Sequence, residues 1–194
     1  LVIDEFHERD LDTDLALAFA LDARSALRED LFIALTSATL EASRTVSWLR
    51  EATGAEPALV DISGDIFPLE LRYAPPPRGV EAVGALGNER VGVRREYLAH
   101  VARTVEDTVA ATEGSVLVFL PGVGEIVRGA LSVPGVEVLT LHGQLSAAEQ
   151  DRALSPTDQR RVILSTSIAE SSLTVPGVSV VVDAGLAREP RFDA

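Results

Sequence analysis

Asp4 and Glu5 stand side by side at the end of the apolar run Leu1-Val2-Ile3, and His7 follows two residues later. In an open α/β sheet the carboxyl ends of the strands are where ligands bind. Adjacent carboxylates at such an edge suit a hard divalent cation: one can hold Mg²⁺ through its water shell while the other orients a second water. An Asp-Glu pair alone is equally the start of a solvated turn, so its meaning depends on what the rest of the chain brings to it.

Further stretches have the same form. Leu31-Phe32-Ile33-Ala34-Leu35-Thr36 is an apolar strand run that ends in Ser37-Ala38-Thr39. Arg161-Val162-Ile163-Leu164 runs into Ser165-Thr166-Ser167-Ile168-Ala169-Glu170-Ser171-Ser172-Leu173-Thr174. Small hydroxyl donors at a strand end suit a sugar-phosphate backbone, which every nucleic-acid sequence offers. Pro121-Gly122-Val123 closes another strand and opens a helix, whose first amides are free to bind phosphate. The same residues are also the form of an ordinary βα turn, and His142-Gly143 is a similar case.

Taken in order, DEFHER, SATLEA, VFLPGVGEI, STSIAESSLT and VVDAGLAREPRFD span nearly the whole chain. This series resembles the motifs of superfamily 2 helicases in their DEAH/RHA branch, most closely the bacterial HrpB-type subgroup. Several motifs in sequence are far more specific than any one of them. The resemblance implies an α/β fold of RecA-like parallel sheets flanked by helices, with a truncated first lobe and most of a second. It also implies ATP or another NTP with Mg²⁺, and single-stranded RNA (or DNA) as partner.

Carried over residue by residue, the resemblance gives Asp4 the Mg²⁺ that bridges the β- and γ-phosphates. Glu5 shares that metal site and deprotonates the attacking water. His7 couples nucleotide state to the second lobe, and Ser37 and Thr39 communicate between nucleotide and nucleic acid. Gly122, His142, Ser165, Thr166 and Ser167 are the expected nucleic-acid contacts, and Glu170 and Ser172 face the nucleotide. Arg188 and Arg191 are further candidates for reaching phosphate. Phe6 replaces the alanine of the family name, as is usual in the resembled subgroup. Three other positions depart from common relatives: Ser167 stands for Asn, Leu154 lies near the place of an adenine-stacking aromatic, and Pro176 replaces an acid.

Composition narrows the setting. The chain has 194 residues, 46% hydrophobic and 24% charged, which is ordinary for a globular protein. It has no apolar run near the roughly 18 residues needed to cross a bilayer, so no membrane contact is expected. Cysteine is absent, which removes disulfides and thiolate metal sites and is compatible with the cytoplasm. All 17 basic residues are arginine. A Walker A loop needs lysine, so none is expected in these residues. By the resemblance, that loop would precede Leu1 and the arginine-rich motif VI would follow Ala194. A fragment cut at both ends, inactive by itself, is therefore expected.

The net charge of −13 is unfavourable for nucleic-acid binding through phosphate neutralisation alone. It is uneven: residues 1–70 carry fifteen acids and five arginines, 71–194 fifteen acids and twelve arginines. The acidity, with Leu154 and Pro176, motivates a rival reading as a catalytically silent interaction module on a helicase fold. A DNA helicase of the same superfamily is a third reading, since backbone contacts without a 2′-hydroxyl reader do not separate the two polymers.

The positioning elements follow from pattern. Asp12 or Thr13 is expected to cap a largely buried helix through Leu27, and strand 31–36 follows. A helix from Thr39 or Glu41 should end at Gly54, with Trp48 in the core. Strands are expected over 58–62 and 68–73, and the proline- and glycine-rich residues 74–92 read as a linker. Beyond lies a helix over 93–111, with Tyr97, Leu98, Val101, Val105 and Val109 on one face. Strands 115–120, 136–141, 161–165 and 178–183 alternate with helices 123–131 and 146–154, the signature of a parallel sheet. The continuous apolar strands 116–120 and 178–182 should be covered on both faces. This gives residues 1–62 to the carboxyl half of a first RecA-like domain, 63–94 to a crossing strand and linker, and 95–194 to a second domain. Residues 1–62 are expected to expose apolar surface and to be less well supported than 95–194, or to be covered by another copy of the chain.

Overall fold

A computed structural model describes residues 1–38, 42–62, 67–85, 91–129, 131–169 and 173–188. The chain divides into two compact units, Leu1–Glu70 and Leu71–Ala194.

In the first unit, strand β1 (Val2–Ile3) pairs in parallel with β2 (Ala34–Leu35), in the register Val2↔Ala34 and Ile3↔Leu35. Helices α1 (Leu11–Ala26) and α2 (Ala42–Thr53) complete it. Its core is small: Ile3, Phe6 and Leu17 are buried, with Leu21, Ile33 and Leu35 packed against them. Gly54 ends α2 at φ 66°, its amide donating to the Arg50 carbonyl, as the sequence predicts.

Several expectations for this unit are corrected. Helix α1 is capped at Asp10, so Asp12 and Thr13 lie inside its first turn. Nor is it largely buried: Leu11, Leu15, Phe19 and Leu27 are exposed, and of its residues only Leu17 and Ala20 are buried, with Leu21 packed partly against the core. Trp48 is also exposed rather than core. Residues 58–62 and 67–73 are irregular, not strands, and Phe67, Leu69, Leu71 and Tyr73 all point to solvent. Alternation alone does not make a strand; a paired neighbour does.

The second unit is organised by one parallel sheet in the order β6-β7-β5-β8. Its strands are β5 (Ser115–Phe119), β6 (Glu137–Leu141), β7 (Arg161–Ser165) and β8 (Val178–Asp183). Ahead of them, β3 (Val83–Ala85) and β4 (Val91–Val93) form an antiparallel hairpin where a linker was expected. Helices α3 (Arg95–Ala111), α4 (Val123–Gly129) and α5 (Ala147–Leu154) alternate with the strands.

Each face of the sheet has its own core. On one face Leu98, Val101, Val105 and Val109 of α3 and Ile126 of α4 pack on Val116, Val118, Val162 and Leu164. On the other, Ala153 of α5 packs with Leu117, Leu141 and Ile163. Full burial of a side chain such as Val116 or Ile163 contributes roughly 1.5–3 kcal/mol. Strand β8 departs from the expected double cover: Val178, Val180 and Val182 are half-buried while Val181 is exposed, because β8 forms the margin of the sheet.

Three polar devices hold the helix ends. Ser146 and Glu149 form a reciprocal capping box at the start of α5. Arg160 donates to the carbonyls of Val109 and Gly114 at 2.7 and 2.6 Å, closing the end of α3. Its buried neighbour Arg161 donates to the carbonyls of Arg152 and Ser155 at 3.0 and 2.6 Å, closing the end of α5. Unsatisfied carbonyls at helix ends are thus met by guanidinium groups.

Candidate functional site

The parallel register of β1 and β2 brings Asp4 and Thr36 to the same level, each one residue beyond its strand. The Thr36 hydroxyl donates to Asp4 Oδ1, and the Glu5 amide donates to the same oxygen at 3.0 Å. These two bonds, with His7 nearby, hold the Asp4 carboxyl below the usual aspartate range, the Thr36 bond contributing most. Asp4 is therefore an exposed, ionised carboxylate at a strand end, the form of ligand a hard cation takes. No cluster of three metal-binding side chains occurs among the described residues.

Glu5 lies in the left-handed region at φ 51°, and so does Arg9 at φ 54°. Such backbone costs roughly 1–2 kcal/mol per non-glycine residue, so something must enforce it. Phe6, between them, is sunk into the first core, and the Arg9 guanidinium lies 4.9 Å above its ring. Arg9 also pairs with Asp14 of α1 at 2.9 Å. The aromatic residue in place of alanine is thus a plug that shapes the loop. The turn sets the Glu5 carboxylate 3.3 Å from His7 Nδ1, joining two of the expected catalytic side chains. Ser37 is half-buried just beyond β2, while Thr39 lies outside the described residues.

In the second unit, the carboxyl edge of the sheet assembles most of the remaining candidates in one row. His142 follows β6, Thr166 and Ser167 follow β7, and Pro121-Gly122 lie just beyond β5. The strand ends are stitched together: Thr166 N donates to Leu141 O, Leu120 N to Ser165 O, and Ala184 N to Phe119 O. Gly122 and His142 are half-buried, and Ser167 is exposed. His142 Nδ1 accepts from the Gln144 amide at 3.3 Å, fixing its ring.

Ser165 needs correction as a direct contact. It is wholly buried, and its hydroxyl lies 2.8 Å from the Thr166 carbonyl and 3.2 Å from that of Leu141. Every residue of β7 from Arg161 to Ser165 is buried, and burial eases only at Thr166, just beyond the strand. Ser165 shapes the edge; Thr166 and Ser167 present it. Leu154, near the place of the stacking aromatic, packs against the second-face core. Glu170, Ser172 and Arg191 lie outside the described residues.

Three contributors went unnoticed in the sequence. Thr36 precedes the SATLEA stretch, and only the register of β1 with β2 shows that it faces Asp4. Arg9 closes DEFHER but acts on Phe6 rather than on a ligand. Glu125 is fully buried beneath Gly122, with Arg188 Nη2 3.3 Å from its Oε1. A charged residue in the first turn of a short helix gave no sign of burial.

Comparison with known proteins agrees with this fold. Residues 99–193 match the helicase conserved C-terminal domain. Over its whole length the chain is 40% identical to the ATP-dependent RNA helicase HrpB of Escherichia coli, covering 22% of that protein. It is 33% identical to the ATP-dependent RNA helicase HrpA of the same organism, with 99% of this chain and 14% of that protein aligned. A crystal structure of the Escherichia coli DEAH/RHA helicase HrpB superposes with a TM-score of 0.77 at 38% identity. That match covers 99% of this chain and 23% of the other. The chain thus spans about a fifth of the length of HrpB and less of HrpA. With the ordered motifs, the RecA-like parallel sheet and 40% identity over its full length, the chain belongs to the DEAH/RHA family of helicases.

Proposed function

We propose that this chain supplies the Asp-Glu end of one RecA-like domain and the larger part of a second in an ATP-dependent RNA helicase. Residues 1–62 belong to the first domain, 63–94 to the crossing segment and 95–194 to the second. The whole protein couples NTP hydrolysis to movement along single-stranded nucleic acid, in the cytoplasm. The observation that carries this reading is the row of Gly122, His142, Thr166 and Ser167 along one sheet edge. Such an edge offers amides and hydroxyls to a sugar-phosphate backbone without reading bases, as a motor that must pass over any sequence requires.

In the first domain Asp4 would hold Mg²⁺, while Glu5, braced by His7, would orient the attacking water and accept its proton. Mg²⁺ supplies charge neutralisation on the terminal phosphates when bound with the nucleotide. By the family pattern, Ser37 and Thr39 would relay the state of that site, and Glu170 and Ser172 would serve nucleotide binding. The 194-residue chain alone neither hydrolyses NTP nor unwinds, because it has no lysine with which to build a phosphate-cradling Walker A loop.

The test uses the product of the complete reading frame and a fluorescent single-stranded RNA. Thr166→Val should weaken binding about tenfold, the worth of one hydrogen bond to a charged group. Ser165→Ala should lower stability by about 1 kcal/mol and leave the salt dependence of binding unchanged. Unaltered affinity in Thr166→Val, with His142→Ala equally silent, would remove the sheet edge from the nucleic-acid path. Glu5→Gln should abolish NTP hydrolysis while preserving RNA binding. The same titration with DNA of matching sequence decides between the polymers.

A further inference from the structure

Thr36 commits all three of its polar groups to the Asp-Glu strand. Its amide donates to the Ile3 carbonyl at 2.9 Å, and its carbonyl accepts from the Phe6 amide at 3.0 Å. Its hydroxyl donates to Asp4 Oδ1. The two main-chain bonds are open to any residue but proline at this position. The third is not: it needs a hydroxyl. Because the main-chain bonds straddle Asp4, one to the residue before it and one two residues after, they set Thr36 squarely beside the carboxylate. A β-branched side chain adds stiffness at χ1, which limits the directions the hydroxyl can take.

The Glu5 amide is the second donor to Asp4, and it falls on the same oxygen. Both bonds therefore converge on Oδ1 and leave Oδ2 outside them. A carboxylate gripped by one oxygen cannot swing freely about its χ2, so its other oxygen is aimed before any ligand arrives. Groups that hydrogen-bond a metal ligand from behind orient it in this way, and their loss typically lowers metal affinity about 10–100-fold.

We propose that Thr36 is a positioning residue whose hydroxyl fixes the Asp4 carboxylate so that Oδ2 is presented to a divalent cation. This rests on the reading of Asp4 as the cation-holding carboxylate. It assigns a task to a residue just outside the SATLEA stretch, at a position where any residue but proline could complete the main-chain pairing.

The experiment uses the product of the complete reading frame, bound to a non-hydrolysable ATP analogue, with Mn²⁺ as the probe read by electron paramagnetic resonance. Thr36→Val removes the hydroxyl and keeps the branch; Thr36→Ser keeps the hydroxyl and removes the branch. Thr36→Val should weaken Mn²⁺ about tenfold, and Thr36→Ser should stay within about twofold of the parent. A merely structural stitch would lower the thermal midpoint without moving the Mn²⁺ titration. The proposal alone falls if Thr36→Val keeps the parent's Mn²⁺ affinity while Asp4→Asn loses it. If Asp4→Asn has no effect either, the reading of Asp4 fails and this proposal fails with it. A loss in Thr36→Ser with Thr36→Val unaffected would make the methyl branch responsible, which also overturns it. Thr36→Ala is measured beside Thr36→Val, and unfolding of both would reduce Thr36 to a structural tie and count against the proposal.

Discussion

Replacing Gly122 by alanine examines the tightest point of the sheet edge. A Cβ at this position would meet Glu125 Oε2 at 3.0 Å and Arg188 Nη1 at 3.2 Å, both inside ordinary van der Waals separation. The two neighbours differ in how they can yield. Arg188 is largely exposed and can retreat into solvent, whereas Glu125 is fully buried in the first turn of α4. Relief on the Glu125 side therefore requires the helix or the turn to shift. Overpacking of this kind costs about 1–3 kcal/mol. With one of the two contacts free to move, about 1–2 kcal/mol is expected for Gly122→Ala, a drop of about 3–6 °C in the melting of the second unit.

Urea denaturation should show the loss as a lower midpoint with an unchanged slope, since the extent of unfolding is the same. The double variant Gly122→Ala with Arg188→Ala should be less damaged than the sum of the single ones by about 0.5–1 kcal/mol, because one clash is then removed. RNA binding should weaken along with stability, as the turn that shifts is part of the row. A Gly122→Ala protein as stable as the parent, or strict additivity with Arg188→Ala, would refute the close approach on which the reasoning rests.

Other expected outcomes follow from the same geometry. Arg161→Ala should cost about 2–4 kcal/mol, since it leaves the Arg152 and Ser155 carbonyls without their donor inside the fold; Arg161→Lys should recover only part, lacking the fork that spans both. The Asp4 carboxyl, watched by carbon-detected NMR, should titrate below ordinary aspartates, and Thr36→Val should raise its midpoint. Because that pKa is depressed on folding, the Thr36 and Glu5 bonds favour the fold at pH above the ordinary aspartate value and are lost as pH falls through the lowered one. Sedimentation of the 194-residue chain should reveal concentration-dependent association through Leu11, Leu15 and Phe19, which recur every fourth residue along one side of α1 and are exposed. Phe19→Asp should return it to a monomer; a monomer at every concentration without the change would disprove that role.

Legibility in the sequence tracked how local the cause of each feature was. β7 and β8 carry the bounds their residues suggest, 161–165 and 178–183, because continuous β-branched runs bounded by turns need no distant information. The buried face of α3 was equally plain from its spacing. Residues 67–73 alternate as well as any strand yet remain irregular, since nothing in the alternation tells whether a partner is present. The β3–β4 hairpin failed in the opposite sense: glycines at 84 and 92 suggested a linker, although a pairing as local as Gly84↔Gly92 forms there. For the site, motif order located the strand ends. It did not separate Ser165, turned inward, from Thr166 beside it, nor reveal Thr36, whose task arises only from the register of two strands.

Arg160 and Arg161 are neighbours on the chain, but strand alternation sends them to opposite sides of the sheet, one to the foot of α3 and the other to the foot of α5. A single dipeptide therefore clasps both helical layers at the entrance of β7, the end remote from Thr166. Tension applied to the carboxyl rim of the sheet would run down β7 as through a tie rod and be shared by both layers, instead of peeling one away. A motor built on this sheet would deliver its stroke as a rigid shift of the entire slab.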